Sequence, residues 1–239
     1  MQPATACLII IGNEILTGRV VDENTPFLTR RLTELGVDVR EVRILPDELE
    51  IIAAAVTKAS AEHTYVLTSG GIGPTHDDLT IDAVAHAFGR QVVTSPGLER
   101  LLKLYYKVDE LSLAQNRLAS IPEGAELIYP EGANYPQVVI ANVYIFPGIP
   151  ELLRKKFEQI AYLFQGPPSF ETRLLFAAHE TDIAAMLHKI ANDNPKVRIG
   201  SYPKHLEGVW KVELVLESRE AGEVERVEAL LKSELELET

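Results

Sequence analysis

Residues 65–78 read Tyr-Val-Leu-Thr-Ser-Gly-Gly-Ile-Gly-Pro-Thr-His-Asp-Asp. A short apolar run ends in a glycine-rich turn, two adjacent carboxylates follow, and a helical pattern begins near Leu79. A turn of this kind between a strand and a helix presents bare backbone N–H groups at the positive end of the helix dipole, which favours phosphate binding. Since the carboxylates would repel a phosphate, the stretch predicts a phosphorylated ligand together with a divalent cation.

Strand and helix patterns alternate on both sides of this turn. Residues Ala6–Ile11 are apolar without alternation, which is typical of a strand covered on both faces. Val37–Leu45 and Tyr65–Thr68 are predicted as the next two strands, and Asp47 with Glu50 is interpreted as a capping box that starts the helix between them. This order predicts an α/β fold with three layers, in which helices cover both faces of a mostly parallel sheet.

The chain is predicted to divide near Gly166-Pro167-Pro168, because two consecutive prolines cannot continue a helix. Residues 1–166 form the α/β domain in this interpretation. Residues 169–239 show apolar-polar alternation and two helical stretches, which predicts a small α+β domain with an antiparallel sheet. Within it, Tyr202–His205 are placed in a loop between two strands.

Composition limits the classes of partner. The 239 residues include 35 acidic and 23 basic side chains, for a net charge of −12, so binding to nucleic acid or to a membrane is not expected. The start lacks the pattern of a signal peptide and no long apolar run occurs, which favours a cytoplasmic protein. Arg154-Lys155-Lys156 is interpreted as the solvated face of a helix. Cys7, the single cysteine, is interpreted as a small buried apolar residue.

In a parallel sheet, ligands bind beyond the carboxyl ends of the strands, and four loops are predicted to meet there. They carry the candidate site residues Glu14, Asp47, Ser69, Gly70, Gly71, Gly73, Asp77, Asp78, Pro147 and Gly148. The alternatives are a tight turn without a ligand for the glycines and helix capping for Asp47 or one of the paired aspartates. Asp77 and Asp78 are the predicted metal ligands. Ser69 has no partnered base, so carboxylate-held metal and activated water are favoured over covalent catalysis.

Five segments resemble a known family. Residues 68–80 resemble the signature loop of the molybdopterin-binding, MoaB/Mog-like superfamily, in the branch of the amino-terminal domain of CinA. The resemblance continues at residues 11–18 and 22–24 and at Pro46-Asp47. Residues 142–151, with their Pro-Gly-x-Pro loop, are similar to the molybdopterin-binding-like domain of FAD synthases. The resemblance to the family extends over about residues 4–165.

The resemblance implies a pocket built by the glycine loop, the loop at Asp47 and the Pro147-Gly148 segment. By motif position, Asp78 and Asp47 match the acids that act with metal in adenylyl-transferring relatives, and Gly70, Gly71 and Gly73 match the loop that receives the ligand. It also implies a homo-oligomer. Residues 132–136 depart from the CinA pattern. Since the printed sequence includes neither a nicotinamide mononucleotide deamidase domain nor an FAD synthase domain, neither of those activities is expected.

Three functions follow as hypotheses. The first is a hydrolase of a nucleotide diphosphate linkage, as in ADP-ribose or FAD, that uses Mg²⁺, Mn²⁺ or Co²⁺ as its cofactor. The second is adenylyl transfer to molybdopterin. The third is a module that binds a pterin or nucleotide without turning it over.

Overall fold

The computed structural model describes residues 4–206 and 209–237, and the chain divides into two units between Gly166 and Pro167. The first unit alternates strands and helices, and the second combines a small sheet with two helices. No helix among these residues has both the length and the apolarity needed to cross a membrane.

The first unit follows a strand-helix order through its first half and a strand-rich order through its second. Its elements are β1 (Thr5–Ile11), α1 (Asn13–Leu16), α2 (Asn24–Glu34), β2 (Asp38–Leu45), α3 (Leu49–Glu62), β3 (Tyr65–Ser69), α4 (Thr80–Ala87), β4 (Val92–Thr94), α5 (Pro96–Tyr106), α6 (Leu113–Arg117), β5 (Ser120–Pro122), β6 (Glu126–Ile128), β7 (Gln137–Ile140), β8 (Val143–Phe146), α7 (Pro150–Ile160) and a 3-10 helix (Ala161–Leu163).

Six of these strands form one sheet in the order β2-β1-β3-β8-β7-β6. β1 runs parallel to β2 and β3, and β3 runs parallel to β8, whereas β7 and β6 join as antiparallel strands. Because β1, β3 and β8 point the same way, the loops after Ile11, Ser69 and Phe146 converge at one edge. The prediction of a mostly parallel sheet is confirmed.

The side chains of β1 alternate between two apolar cores, one on each face of the sheet. Cys7, Ile9 and Ile11 pack in the core that α3 and α4 cover. Ala6 and Leu8 pack in the core that α2 and α7 cover. The unbroken apolar run at the start of the chain is therefore explained by burial on both faces, and the three-layer prediction is confirmed.

The second unit contains β9 (Phe170–Phe176), α8 (Glu180–Asp193), β10 (Arg198–Leu206), β11 (Val209–Ser218) and α9 (Ala221–Leu237). The strands form an antiparallel sheet in the order β10-β11-β9. Every second residue of β11, namely Val212, Leu214 and Leu216, is buried against apolar residues of α8 and α9. The predicted alternation is therefore confirmed.

Two local predictions are wrong. Asp47 does not start α3, since that helix begins at Leu49 after Glu48 and has no side-chain cap. Residues Tyr202–His205 are not a loop, because they lie within β10. Pro203 is tolerated there because β10 is an edge strand, where a missing N–H leaves no ladder bond broken.

Replacement of Phe157 by alanine tests the core between the sheet and α7. Phe157 is fully buried, stacks on Phe164 with ring centroids 5.2 Å apart and meets the edge of Phe27. We expect Phe157→Ala to lower the free energy of unfolding by about 3–5 kcal/mol, measured by urea denaturation, because it leaves a cavity. Tyr162→Ala is the control, since that ring is 60% exposed, and we expect a change within about 0.5 kcal/mol.

Candidate ligand cleft

The glycine loop after β3 is fixed by close backbone approaches. Gly70 adopts a φ of +101°, and a Cβ at this position would overlap the carbonyl oxygen of Ile11 at the end of β1. The hydroxyl of Thr80 donates to the carbonyl of Gly70 at 2.7 Å, and its N–H donates to the carbonyl of Gly71 at 2.9 Å. The first residue of α4 thus holds the loop against β1, which only glycine at position 70 allows.

Asp78 closes the same loop from its other end. Its carboxylate accepts hydrogen bonds from the N–H of Gly73 at 2.7 Å and of Thr75 at 2.8 Å, and also from the Thr75 hydroxyl. The Asp78 carbonyl accepts a bond of 2.8 Å from Arg117. Since a carboxylate has about four acceptor positions and these bonds use three, Asp78 organises the loop and keeps about one position for a cation.

The Pro147-Gly148 segment lies directly against the glycine loop. A Cβ on Gly148 would come within 3.2 Å of the Gly70 Cα. Buried Asn24 holds the segment, because its side-chain amide donates to the Gly148 carbonyl at 2.7 Å and to the Ser69 hydroxyl at 2.9 Å. Ser69 is itself buried, and its hydroxyl stabilises the loops through the hydrogen bond with Asn24.

Asp47 and Glu14 lie in the two loops beside the glycine loop. The Asp47 carboxylate accepts a bond of 2.8 Å from the N–H of Asn13, the first residue of α1. Asp47, which follows β2, therefore caps the start of α1 and not the start of α3. Glu14 follows on α1, is exposed and lines the cleft described next.

These loops open into a cleft of about 1030 Å³ at the carboxyl edge of the sheet. Its polar wall includes Glu14, Gly70, Gly71, Gly73, Asp78, Arg117, Asn134, Lys155 and Lys156. Its apolar wall includes Ile81, Leu98, Leu102, Tyr106, Leu118 and Val138. One cleft thus combines a polar end with a broad apolar surface, a combination found in sites for small organic ligands.

Lys156 is the cation most affected by this environment. Its ammonium donates to the carbonyl of Pro136 at 2.6 Å and lies 5.0 Å from the centre of the Tyr135 ring. Within the described residues it forms no ion pair, and burial lowers the pKa of Lys156 to about 8. Arg117, in contrast, lies 3.6 Å from the Asp82 carboxylate. A desolvated ammonium without a carboxylate partner favours an anionic ligand.

Backbone N–H groups supply further donors. The N–H of Gly70 is used by the Phe146 carbonyl at 3.2 Å, and that of Gly73 by Asp78. Those of Gly71 and Ile72 have no acceptor among the residues that the structure describes. α7 also begins at the cleft, with Pro150 at its first turn and no side-chain cap. Free amides at a helix start favour an anion.

The carboxylates that line the cleft fit a cation shared with a ligand. Glu14 and Asp78 line it, whereas no group of three acidic, histidine or cysteine ligands forms there among residues 4–206 and 209–237. Mg²⁺ is commonly held by one or two carboxylates together with substrate phosphates and water. The two carboxylates suit a cation that is shared with a bound phosphate, and not a site in which the protein supplies every ligand.

The structure therefore brings seven of the ten candidate residues to the cleft surface: Glu14, Gly70, Gly71, Gly73, Asp78, Pro147 and Gly148. Ser69 and Asp47 lie behind it and position its loops. Asp77 is 60% exposed and does not line the cleft, so its role as a metal ligand stays a prediction.

Sequence reasoning missed Lys156, Lys155, Arg117 and Tyr135. The sequence pattern predicts that Lys156 lies on a solvated helix face, but its side chain lines the cleft and donates to the Pro136 carbonyl. The spacing of Leu153, Phe157 and Ile160 along α7 was the available signal, because position 156 adjoins that buried stripe.

Comparison with known proteins identifies the family of the chain. Residues 7–165 match the family described as "Probable molybdopterin binding domain", and residues 168–239 match "FAD synthase, middle domain". The chain belongs to the molybdopterin-binding-domain family. The predicted resemblance is confirmed, and the second match adds a relationship for the small unit that the residues alone did not reveal.

Three relatives illustrate the family. A protein of Archaeoglobus fulgidus is 36% identical over 197 residues, which are 82% of this chain and 85% of that protein. A probable FAD synthase of Caenorhabditis briggsae is 32% identical over 97% of this chain and 49% of its own length, so the chain spans about half of that relative. The crystal structure of CinA from Thermoplasma acidophilum is 29% identical, has a TM-score of 0.62 and covers 67% of this chain and 97% of its own.

Substitution of Gly70 tests the close approach at the loop. We expect Gly18→Ala to cost about 1–2 kcal/mol of unfolding free energy, because Gly18 has a φ of +69° in open space. Gly70→Ala should cost about 1–3 kcal/mol more, because the new Cβ also displaces the Ile11 carbonyl. Equal losses in urea denaturation would contradict the packing described for Gly70.

The environment of Lys156 predicts a specific dependence on pH. Its folded-state pKa of about 8 lies below the ordinary value of 10.5, so the charged form is disfavoured in the folded chain. The resulting cost is present below pH 8 and is relieved as the pH rises from 8 to 10.5, by about 3 kcal/mol in total. We expect Lys156→Met to remove this rise from the unfolding free energy.

The matched control is Lys155→Met, the exposed neighbour on the same helix. Lys155→Met retains Lys156 and should therefore keep the rise in unfolding free energy between pH 8 and pH 10.5. A rise that also persists in Lys156→Met would contradict the buried environment of the ammonium.

Proposed function

We propose that this protein is a metal-dependent hydrolase of a nucleotide diphosphate linkage, with ADP-ribose or FAD as the substrate class. The observation that supports this most is the pairing of anion donors with carboxylates in one cleft. The free amides of Gly71 and Ile72, the start of α7 and the Lys156 ammonium favour a phosphate, while Glu14 and Asp78 require a cation beside it.

The shape of the cleft supports a ligand larger than a single phosphate. A volume of about 1030 Å³ is at the upper end of small-molecule sites and suits a dinucleotide. The apolar wall of Leu98, Leu102, Tyr106 and Val138 offers a surface for a planar ring. The diphosphate would lie at the glycine loop and a base or flavin ring against this wall.

In the proposed reaction, water adds to one phosphorus, the bridging P–O bond breaks, and AMP leaves with ribose 5-phosphate or FMN as the second product. Glu14 and Asp78 would hold the divalent cation, which polarises a phosphoryl oxygen and lowers the pKa of bound water. Lys156 would stabilise the negative charge that develops on the departing phosphate. The amides of Gly71 and Ile72 would orient the diphosphate.

The family description favours a pterin as the other ligand class, and adenylyl transfer to molybdopterin is the second candidate. The same donors would hold the phosphates, and the pterin would replace water as the acceptor. A product that carries AMP on the pterin, formed from ATP and molybdopterin, would favour this candidate over hydrolysis.

The test is AMP release from ADP-ribose and FAD with Mg²⁺, Mn²⁺ or Co²⁺, with products identified by mass. We expect turnover that Asp78→Ala abolishes. Glu14→Gln should reduce turnover and raise the cation concentration needed, because it removes one negative charge without disturbing the hydrogen bonds of the loop. Lys156→Met should raise KM at least about tenfold, through loss of a charge-assisted contact.

The control for the acidic variant is Glu48→Gln, which alters an exposed carboxylate on the neighbouring loop outside the cleft lining. It should match the unsubstituted protein. AMP release that survives Asp78→Ala would refute the assignment, and tight binding in calorimetry without turnover under all three cations would leave a ligand-binding module.

A further inference from the structure

A second cluster of ligand-type side chains lies near the other end of β1. Cys7, Glu41 and His63 offer a sulfur, a carboxylate oxygen and an imidazole nitrogen, all within 4.8 Å of one another. Within residues 4–206 and 209–237, no other group of three such residues meets this closely. Cys7 precedes Ile11 by four positions, or about 13 Å of extended strand, so the cluster is separate from the glycine loop.

A local irregularity in the sheet brings the carboxylate to the thiol. Ala6 pairs with Val39, but the next pair is Cys7 with Glu41, so Arg40 is skipped. In regular pairing Arg40 would stand opposite Cys7. An extra residue in one strand changes the direction of the side chains that follow it. Here it places the Glu41 carboxylate, and not the Arg40 guanidinium, opposite Cys7.

His63 is held beside this pair by its backbone. It directly follows α3, and its N–H donates to the Ala59 carbonyl at 3.0 Å while its carbonyl accepts from the Asn142 side chain at 2.8 Å. Thr64, the next residue, exchanges hydrogen bonds of 3.1 and 3.2 Å with Thr5 at the start of β1. The imidazole is therefore fixed next to the strand that carries Cys7.

The imidazole itself has no hydrogen-bond partner among the described residues. Its side chain is only 10% exposed, and its Nδ1 is buried without a partner. Its Nε2 lies 3.7 Å from Glu41 Oε2, beyond hydrogen-bond distance, and Cys7 Sγ lies 3.9 Å from the same oxygen. Buried polar groups are normally satisfied, so the Nε2 nitrogen, which no described residue hydrogen-bonds, is available to a ligand beside Glu41.

We propose that Cys7, Glu41 and His63 bind a divalent cation of the zinc class, with water as the fourth ligand. Zinc accepts sulfur, nitrogen and oxygen ligands together, whereas magnesium and calcium prefer oxygen alone. Tetrahedral coordination at zinc bond lengths separates neighbouring ligands by about 3.3–3.6 Å. The Nε2–Oε2 and Sγ–Oε2 separations are 3.7 and 3.9 Å, and the sulfur-to-nitrogen separation is within 4.8 Å, so rotation of the side chains can bring all three to these values.

The surrounding charges are compatible with such a site. Arg43 donates to both oxygens of Glu41, at 2.9 and 2.8 Å, which orients the carboxylate and leaves lone pairs unused. Lys58 also acts on the Glu41 carboxylate, and Glu62 acts on the Cys7 thiol. Burial raises the pKa of the Cys7 thiol to about 11, so the cation would displace the thiol proton to solvent. The Glu41 side chain is 36% exposed and provides the entry path.

The test is titration of the full chain with Co²⁺, followed by absorption. Cys7 is the single cysteine, so a thiolate-to-cobalt charge-transfer band reports on this site alone. We expect one equivalent of Co²⁺ to produce the band and Zn²⁺ to displace it. Cys7→Ala should abolish the band, and Glu41→Gln or His63→Gln should weaken Co²⁺ binding at least about tenfold.

The matched control is His86→Ala, because His86 Nε2 also lies 3.7 Å from a glutamate oxygen, that of Glu50, but has no thiol beside it. It should leave the titration unchanged. Asp78→Ala should also leave the band intact, which separates this site from the cation of the proposed hydrolase.

A thermal measurement covers the case in which Cys7→Ala does not fold. Zn²⁺ should raise the Tm of the unsubstituted chain and of His86→Ala but not that of His63→Gln. Absence of a thiolate band at saturating Co²⁺, or a band that persists unchanged in both Glu41→Gln and His63→Gln, would overturn the proposal.

Discussion

The contact between Gly70 and the Ile11 carbonyl is the constraint on which the cleft depends. It brings the end of β3 against the end of β1 at a distance that no side chain permits. Thr80 then fixes the loop from the start of α4, and Gly148 packs on Gly70 from the other side. Three segments far apart in sequence thus meet at one point, and Gly70 and Gly148 line the cleft there.

Electrostatics in the cleft follow from this packing. The Asp78 carboxylate is only partly available to solvent, because it accepts hydrogen bonds from loop N–H groups and from the Thr75 hydroxyl. Lys156 is desolvated beneath Tyr135 and Pro136, which lowers its pKa to about 8. Acids and cations therefore line one cleft, in which Lys156 forms no ion pair within the described residues. A bound phosphate would pair with the Lys156 ammonium, and its counter-ion would pair with the carboxylates.

The two edges of the parallel sheet hold different chemistry. The carboxyl edge carries glycines, carboxylates and free amides, whereas the cluster of Cys7, Glu41 and His63 combines sulfur, oxygen and nitrogen near the amino end of β1. The first depends on loop conformation and the second on a register shift within the strands. Because β1 contributes to both, the stability of this one buried strand affects each of them.

The sequence by itself determined the layers of the fold and the position of the glycine loop, because these rest on local patterns. The unbroken apolar run of β1 and the alternation in β11 directly report how many faces of a strand are buried. Only the tertiary structure decided that Asp47 caps α1, that Pro203 lies in an edge strand, and that Lys156 is enclosed. Each of those outcomes is set by a partner from a distant segment. Burial, hydrogen bonding and pKa depend on such partners, and the periodicity of the sequence does not predict which distant residues they are.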